Sequence, residues 1–332
     1  MRFQSILPLP VLSLCLAVLP TVYAHGYVAQ VTIDGKLYQG NVPNASPTPS
    51  IVRQINNVAP VKGASNAYMN CGQSAQKASL VASANPGSQL TFRWEGGDGS
   101  NWPHNIGPLM TYMASCTGTT CDQYDSTNAE WFKISEVGLE PGDMVWYQQN
   151  LMNGNVANVT IPSTIAPGQY LIRHEIIALH LANEMGGAEF YPSCTQVNVG
   201  GSQTGVAQSS EMVTFPGGYS DTDPGIYDPT IFDTPVNYTF PGPPIAAFVS
   251  ASPSSTTSSS PPSASSSPSS SQSSAPASSS PSSSGGNTSS CKLQARNLQA
   301  RGLDARRPRS VSRVMRKWLS DIAENEFALW SN

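Results

Sequence analysis

Residues 25 to about 248 are predicted to form an all-β sandwich of the immunoglobulin/fibronectin type with long surface loops. Two observations carry that expectation. Short β-branched or alternating runs recur, and Gly, Pro and Asn turn signals punctuate them. Apolar spacing of three and four residues, the mark of an amphipathic helix, is nearly absent.

In chain order the runs are 28–33, 89–94, 109–113, 131–137, 158–161, 169–177 and 196–199. Asn85-Pro86-Gly87, Pro141-Gly142-Asp143 and Ala166-Pro167-Gly168 separate several of them. Along 169–177, strand geometry puts Arg173, Glu175 and Ile177 on one face and Ile172, His174 and Ile176 on the other. Arg173 and Glu175 are then placed to pair as charges, and His174 reads as structural. The connections 38–70 and 200–244 are longer than ordinary loops, which marks them as functional surfaces or wraps on a rigid scaffold.

The two ends differ from this body. Met1-Arg2, an apolar run from Ile6 to Leu19 and the close Val22-Tyr23-Ala24 predict a secretory signal peptide over 1–24. Pro8 and Pro10 interrupt the run, which is too short to span a bilayer, so a secreted, extracellular protein without a transmembrane anchor is expected. From 249 to 290 the chain is Ser- and Pro-rich with almost no large apolar side chain, the composition of a disordered, O-glycosylated linker. The basic tail, 291–332, places Val311, Val314, Met315, Trp318, Leu319 and Ile322 at helical spacing. A disordered or proteolytically removed tail (cut near Arg306-Arg307) or a gene-model error is the favoured reading, with a basic amphipathic helix as the alternative. Its single cysteine, Cys291, cannot build a disulfide-knotted cellulose-binding module.

Between 25 and 250 there are seven Lys/Arg against 17 Asp/Glu. An acidic body argues against a nucleic-acid partner and suits work on neutral polymers. Cys71, Cys116, Cys121 and Cys194 allow three pairings in an oxidising compartment. Cys116 and Cys121 flank a turn-prone loop that can close locally, leaving Cys71 for Cys194. Asn44, Asn158, Asn237 and Asn287 head N-glycosylation triplets.

Cleavage after Ala24 gives His25 a free α-amine beside its imidazole, and two nitrogens on one residue can chelate a metal. The chain has four histidines, the others being His104, His174 and His180. His104 lies on a loop leading into the run at Leu109, within reach of a metal held at the new N-terminus.

With His25-Gly26-Tyr27-Val28, Trp102-Pro103-His104 running into Gly107-Pro108, Arg173-His174-Glu175-Ile176-Ile177-Ala178-Leu179-His180, and Gly186-Gly187-Ala188-Glu189-Phe190-Tyr191-Pro192, the chain resembles the fungal copper-dependent lytic polysaccharide monooxygenases of auxiliary activity family nine, formerly classed as glycoside hydrolases. The resemblance covers 25 to about 245. It implies a histidine brace on one copper: amine and ring nitrogen of His25, a third nitrogen from His104, and Tyr191 in an axial position. Three nitrogens in a plane suit copper(II), whereas zinc prefers a tetrahedral site. His180 matches the second-sphere histidine that hydrogen-bonds the oxygen species. The implied reaction is oxidative cleavage of cellulose or a related β-1,4-glucan at C1 and/or C4, using O2 or H2O2. An external reductant such as a cellobiose dehydrogenase is the implied partner, and a monomer is expected. Tyr219 resembles the family's surface tyrosine, and Tyr38 is a second candidate for stacking on sugars.

The chain departs from the family at Glu189, where Gln is usual. Gln can donate to a bound oxygen; an ionised Glu only accepts. Lower or more pH-dependent activity is therefore expected. Two rival functions stay open at this stage. One is a hydrolase using Glu175 and Glu189 as paired carboxylates. The other is a non-catalytic copper- or carbohydrate-binding relative.

Overall fold

The computed structural model describes residues 24–141 and 145–250. The signal peptide up to residue 23, Asp143, the Ser-rich stalk with Asn287 and the basic tail with Cys291 lie outside them.

Ten strands and one short α-helix, with three short 3-10 turns, make up the described body: β1 (Gly26–Ile33), β2 (Lys36–Gln39), β3 (Ala82–Ala84), β4 (Gln89–Gly96), β5 (Leu109–Ser115), β6 (Trp131–Val137), α1 (Gln148–Met152), β7 (Ala157–Thr160), β8 (Gly168–Ala178), β9 (Glu189–Val199) and β10 (Met212–Val213). They form two sheets, ordered β2-β1-β4-β7 and β10-β6-β5-β8-β9-β3. All pairings are antiparallel except β3 with β9. The molecule is an all-β sandwich.

Each of the seven expected runs is a strand, and the long final one differs most from expectation. β9 begins at Glu189, seven residues ahead of the expected run at 196. Its first half lacks β-branched residues and contains Pro192, which reads against a strand. Pairing overrides that local reading: Tyr191 lies opposite Ile176 and Glu189 opposite Ala178 on β8. β3 reaches only Val197–Val199, so loop chain borders β9 near Pro192, where a missing donor is tolerated.

The core between the sheets joins Val31, Ile33, Leu90, Phe92 and Trp94 to Met113, Ile172, Ile176, Tyr191 and Val197. The opposite face of the six-stranded sheet is buried as well. Met110, Tyr112, Trp131, Leu171, Ile177 and Phe190 lie there under Phe215, Tyr219, Ile226 and Ile231 of the long 200–244 wrap. Burial on both faces explains why β5 and β8 read as near-continuous apolar runs.

His174 faces the inner core, where its ring stacks on Phe92 at 4.3 Å and its Nδ1 accepts from Trp94 Nε1 at 3.2 Å. Arg173 and Glu175 face the outer cluster as a fully buried pair, with Arg173 Nη2 2.6 Å from Glu175 Oε1. Arg173 also donates to the Met69 carbonyl, which satisfies the buried guanidinium. Disulfides join Cys71 to Cys194 and Cys116 to Cys121. Asn44, Asn158 and Asn237 are all exposed.

Candidate metal centre

Four segments converge where β1 starts. His25 lies immediately before β1, and its carbonyl accepts from Gly97 N at 2.9 Å, just past the end of β4. Gly26 pairs with Gly96, and a Cβ at Gly26 would collide with the Glu95 carbonyl and the Trp102 ring. Only glycine lets His25 sit so close to the second sheet strand.

His104 arrives on the loop between β4 and β5. Trp102, fully buried, anchors that loop by donating its Nε1 hydrogen to Gln148 Oε1 on α1 at 3.1 Å. Gln148 in turn donates to the Ile177 carbonyl, tying loop and helix to β8. Gly107 (φ +122°) closes the loop in left-handed backbone, where a side chain would strike the Ile177 carbonyl. The Trp102 ring meets His104 at 5.3 Å and Tyr191 at 4.8 Å, both edge-on.

Tyr191 and Glu189 come from the first half of β9, two residues apart and therefore on one face. Tyr191 donates its hydroxyl to Glu189 Oε2 at 2.8 Å, and the same hydroxyl lies 3.3 Å from His104 Nε2. The His25 ring is 6.4 Å from the Tyr191 ring. His104 is also within hydrogen-bond reach of the Ala24 carbonyl, so the peptide unit leading into His25 borders the His104 ring. His180 follows β8 and stacks its ring on His104 at 4.4 Å, nearly parallel.

His104 Nε2, His180 Nε2 and Glu189 Oε2 lie within a small cluster, 3.5 and 3.9 Å from imidazole to carboxylate. Stacked parallel rings aim their in-plane lone pairs side by side and not at one point. His104 and His180 are thus poorly set to grip the same ion, whereas His104 faces the segment carrying His25. The donor set that converges is nitrogen-rich, with one phenol oxygen, which fits copper by ligand chemistry.

Burial pushes the His104 imidazole down to about 3, and the neighbouring His180 and His25 add to that shift, so the ring is neutral with a lone pair to offer. For Glu189, burial favours the neutral acid, but Lys62, His180, His104 and the Tyr191 hydroxyl together outweigh it. Its carboxyl is held below the usual glutamate range. The position therefore carries an acceptor where a Gln would supply a donor.

His25, His104, His180, Glu189 and Tyr191 are brought together; the two sugar-stacking candidates are not. Tyr219 is only 7% exposed, and its hydroxyl donates to Glu175 Oε2 at 2.8 Å inside the outer core cluster. It is a packing residue, because the 200–244 wrap folds inward over β5 and β8. Tyr38 sits on β2 and not on a loop, half-buried with Lys36 over its ring at 5.1 Å. Its partner on β1 is Val31, six residues and about 20 Å of strand from His25. Glu175 is fully buried and ion-paired, which removes it as a glycosidase carboxylate. Two supporting residues escaped sequence reasoning, Gln148 and Lys62. Neither carries a local signal, since each matters only through a side chain from another segment.

Residues 25–238 match the sequence profile of Auxiliary Activity family 9 (formerly GH61). The chain is 58% identical over 235 residues to AA9 family lytic polysaccharide monooxygenase D of Gloeophyllum trabeum, covering 71% of this chain and 68% of that one. The extended catalytic domain of H. jecorina LPMO9A superposes with a TM-score of 0.61 at 34% identity, over 67% of this chain and 91% of that one. A crystal structure described as a cellulose-active polysaccharide monooxygenase from M. thermophila gives a TM-score of 0.58 at 35% identity, over 67% and 98%. The chain belongs to Auxiliary Activity family 9, the lytic polysaccharide monooxygenases, which cleave polysaccharides oxidatively using copper, O2 or H2O2 and an external reductant.

Proposed function

We propose that this chain is a secreted monooxygenase that cleaves cellulose or a related β-1,4-glucan at C1 and/or C4. In this reading the signal peptide is removed after Ala24, residues 25–248 form the catalytic domain, and the Ser-rich linker and basic tail follow. A cellobiose dehydrogenase or a small reductant would serve as the electron donor. The observation that carries the reading is the convergence of His104, Tyr191 and His25, which lies just ahead of β1 and is the residue where the family match begins. The M. thermophila relative, described as cellulose-active, supports the choice of substrate.

Copper, when bound, supplies the one-electron redox chemistry with O2 or H2O2 that hydroxylates a sugar carbon. The amine and ring of His25 and the ring of His104 would hold it, and the Tyr191 hydroxyl, 3.3 Å from His104 Nε2, would be a further oxygen donor. Burial holds the His104 imidazole down at about 3, so its nitrogen is free of a proton and available as a ligand in mildly acidic solution. Trp102, locked by Gln148, fixes the rings of both His104 and Tyr191. Glu189 orients the Tyr191 hydroxyl by accepting its hydrogen bond. His180, with its side chain 20% exposed, sits over His104 and can hold or pass a proton at Nε2 toward the open face.

The ionised Glu189 also motivates a second reading, in which copper binds but turnover is weak. Mass spectrometry of products from cellulose, with copper and ascorbate and with or without H2O2, tests both. Aldonic acids or C4-oxidised ends are expected, and simple reducing ends alone would mean hydrolysis. Glu189→Gln in the same assay is expected to raise oxidised product roughly threefold to tenfold, the worth of one regained hydrogen bond.

A further inference from the structure

We infer that Lys62 is a positioning residue of the metal centre: the fixed counter-ion that neutralises Glu189 and so offsets the carboxylate this chain carries in place of the family's usual Gln. The inference rests on the copper-site reading above.

Glu189 is only 6% exposed and lies among His104, His180 and Tyr191. A buried carboxylate is costly unless it is paired and hydrogen-bonded. Its two oxygens have separate partners. Oε2 accepts from Tyr191, and Oε1 lies 3.2 Å from Lys62 Nζ. Apart from the imidazoles, that ammonium is the cation paired with it among the described residues.

Lys62 is placed by backbone and not by chance of rotamer. Val61 and Phe190 exchange both backbone hydrogen bonds, 2.8 and 3.0 Å, which pins residue 62 beside residue 189. Nζ also donates to the Gly187 carbonyl at 3.0 Å. Around the carboxylate the other titratable groups are His104 and His180, both paired in the geometry above. The side chain of Lys62 is 43% exposed, so it brings a positive charge from the rim to the edge of the centre.

Two opposite charges side by side give the centre nearly the net charge that a neutral Gln would give. Removing the ammonium leaves a bare negative charge near the bound ion, which favours Cu(II) over Cu(I). The test uses correctly processed protein, with Cu(II) and Cu(I) affinities measured by competition titration and the Cu(II) site followed by electron paramagnetic resonance. Lys62→Met and Lys62→Gln are expected to raise the Cu(II)/Cu(I) affinity ratio at least threefold, about 30 mV lower in potential at 59 mV per tenfold. Lys62→Arg should match wild type. In a Glu189→Gln background, Lys62→Met should shift the ratio less than about 1.5-fold. Wild-type ratios in both Lys62→Met and Lys62→Gln would overturn the inference, as would an equal shift in the Glu189→Gln background. A wild-type ratio in Lys62→Gln alone would show a tether without a charge role and would also overturn it. Failure of wild-type protein to bind copper would instead sink the site reading itself.

Discussion

His174 shows how one residue can bind stability to pH. Burial pushes its imidazole down to about 3, while an unfolded histidine titrates near 6.5. The neutral ring accepts from Trp94 and cannot do so once protonated. Between pH 6.5 and 3 the unfolded chain therefore binds a proton that the native chain refuses, and stability falls as pH falls. From pH 6.5 to 4.5 the loss should reach roughly 2–3 kcal/mol, read from urea unfolding at each pH. His174→Phe, which keeps a ring against Phe92, should remove this residue's share and roughly halve the slope, since His104 is depressed in the same way. An unchanged slope would mean the ring takes up a proton in the native state. The histidine count and the His25 junction were legible residue by residue. Lys62 was not, because an ordinary surface lysine becomes part of the centre only through its meeting with Glu189.

At the level of elements, β9 does most of the organising. It carries Glu189 and Tyr191 to the centre, pairs along its length with β8, and holds the 40–81 loop through the Val61–Phe190 exchange and Cys71–Cys194. That disulfide closes a separation of 123 residues, whereas Cys116–Cys121 closes five. In the chain-entropy picture the long bridge is worth about 5 kcal/mol and the short one about 2. Cys71→Ala/Cys194→Ala should thus lower unfolding free energy clearly more than Cys116→Ala/Cys121→Ala in matched urea melts. Equal losses would show that the tether to β9 adds nothing beyond local closure. Most strands were readable from alternation, as in Leu90, Phe92 and Trp94. The first half of β9 was hidden because Pro192, Ser193 and Cys194 are set in a strand by neighbours and not by propensity.

For the molecule as a whole, the proposed reading makes the end left by signal-peptide removal part of the site. His25 is fastened just past the end of β4, its carbonyl accepting from Gly97 N. In the proposed brace, a single Gly fused ahead of His25 would convert the amine to an amide and remove one of three nitrogen donors. Copper(II) affinity, measured by competition titration, should fall at least a hundredfold, a loss of about 2.7 kcal/mol or more. Equal binding by the extended protein would exclude the terminal amine as a ligand.

Sequence alone determined the sandwich class, the seven principal strands and the residues from which a brace could be built. Those follow from alternation, turn residues and motif spacing, all local properties of the chain. The tertiary structure decided what those residues face. It turned Tyr219 into the core, kept Tyr38 on a strand far from His25, sealed Glu175 against Arg173 and set Lys62 against Glu189. Those outcomes depend on long-range packing and on the pairing of buried charge, which no stretch of neighbouring residues encodes.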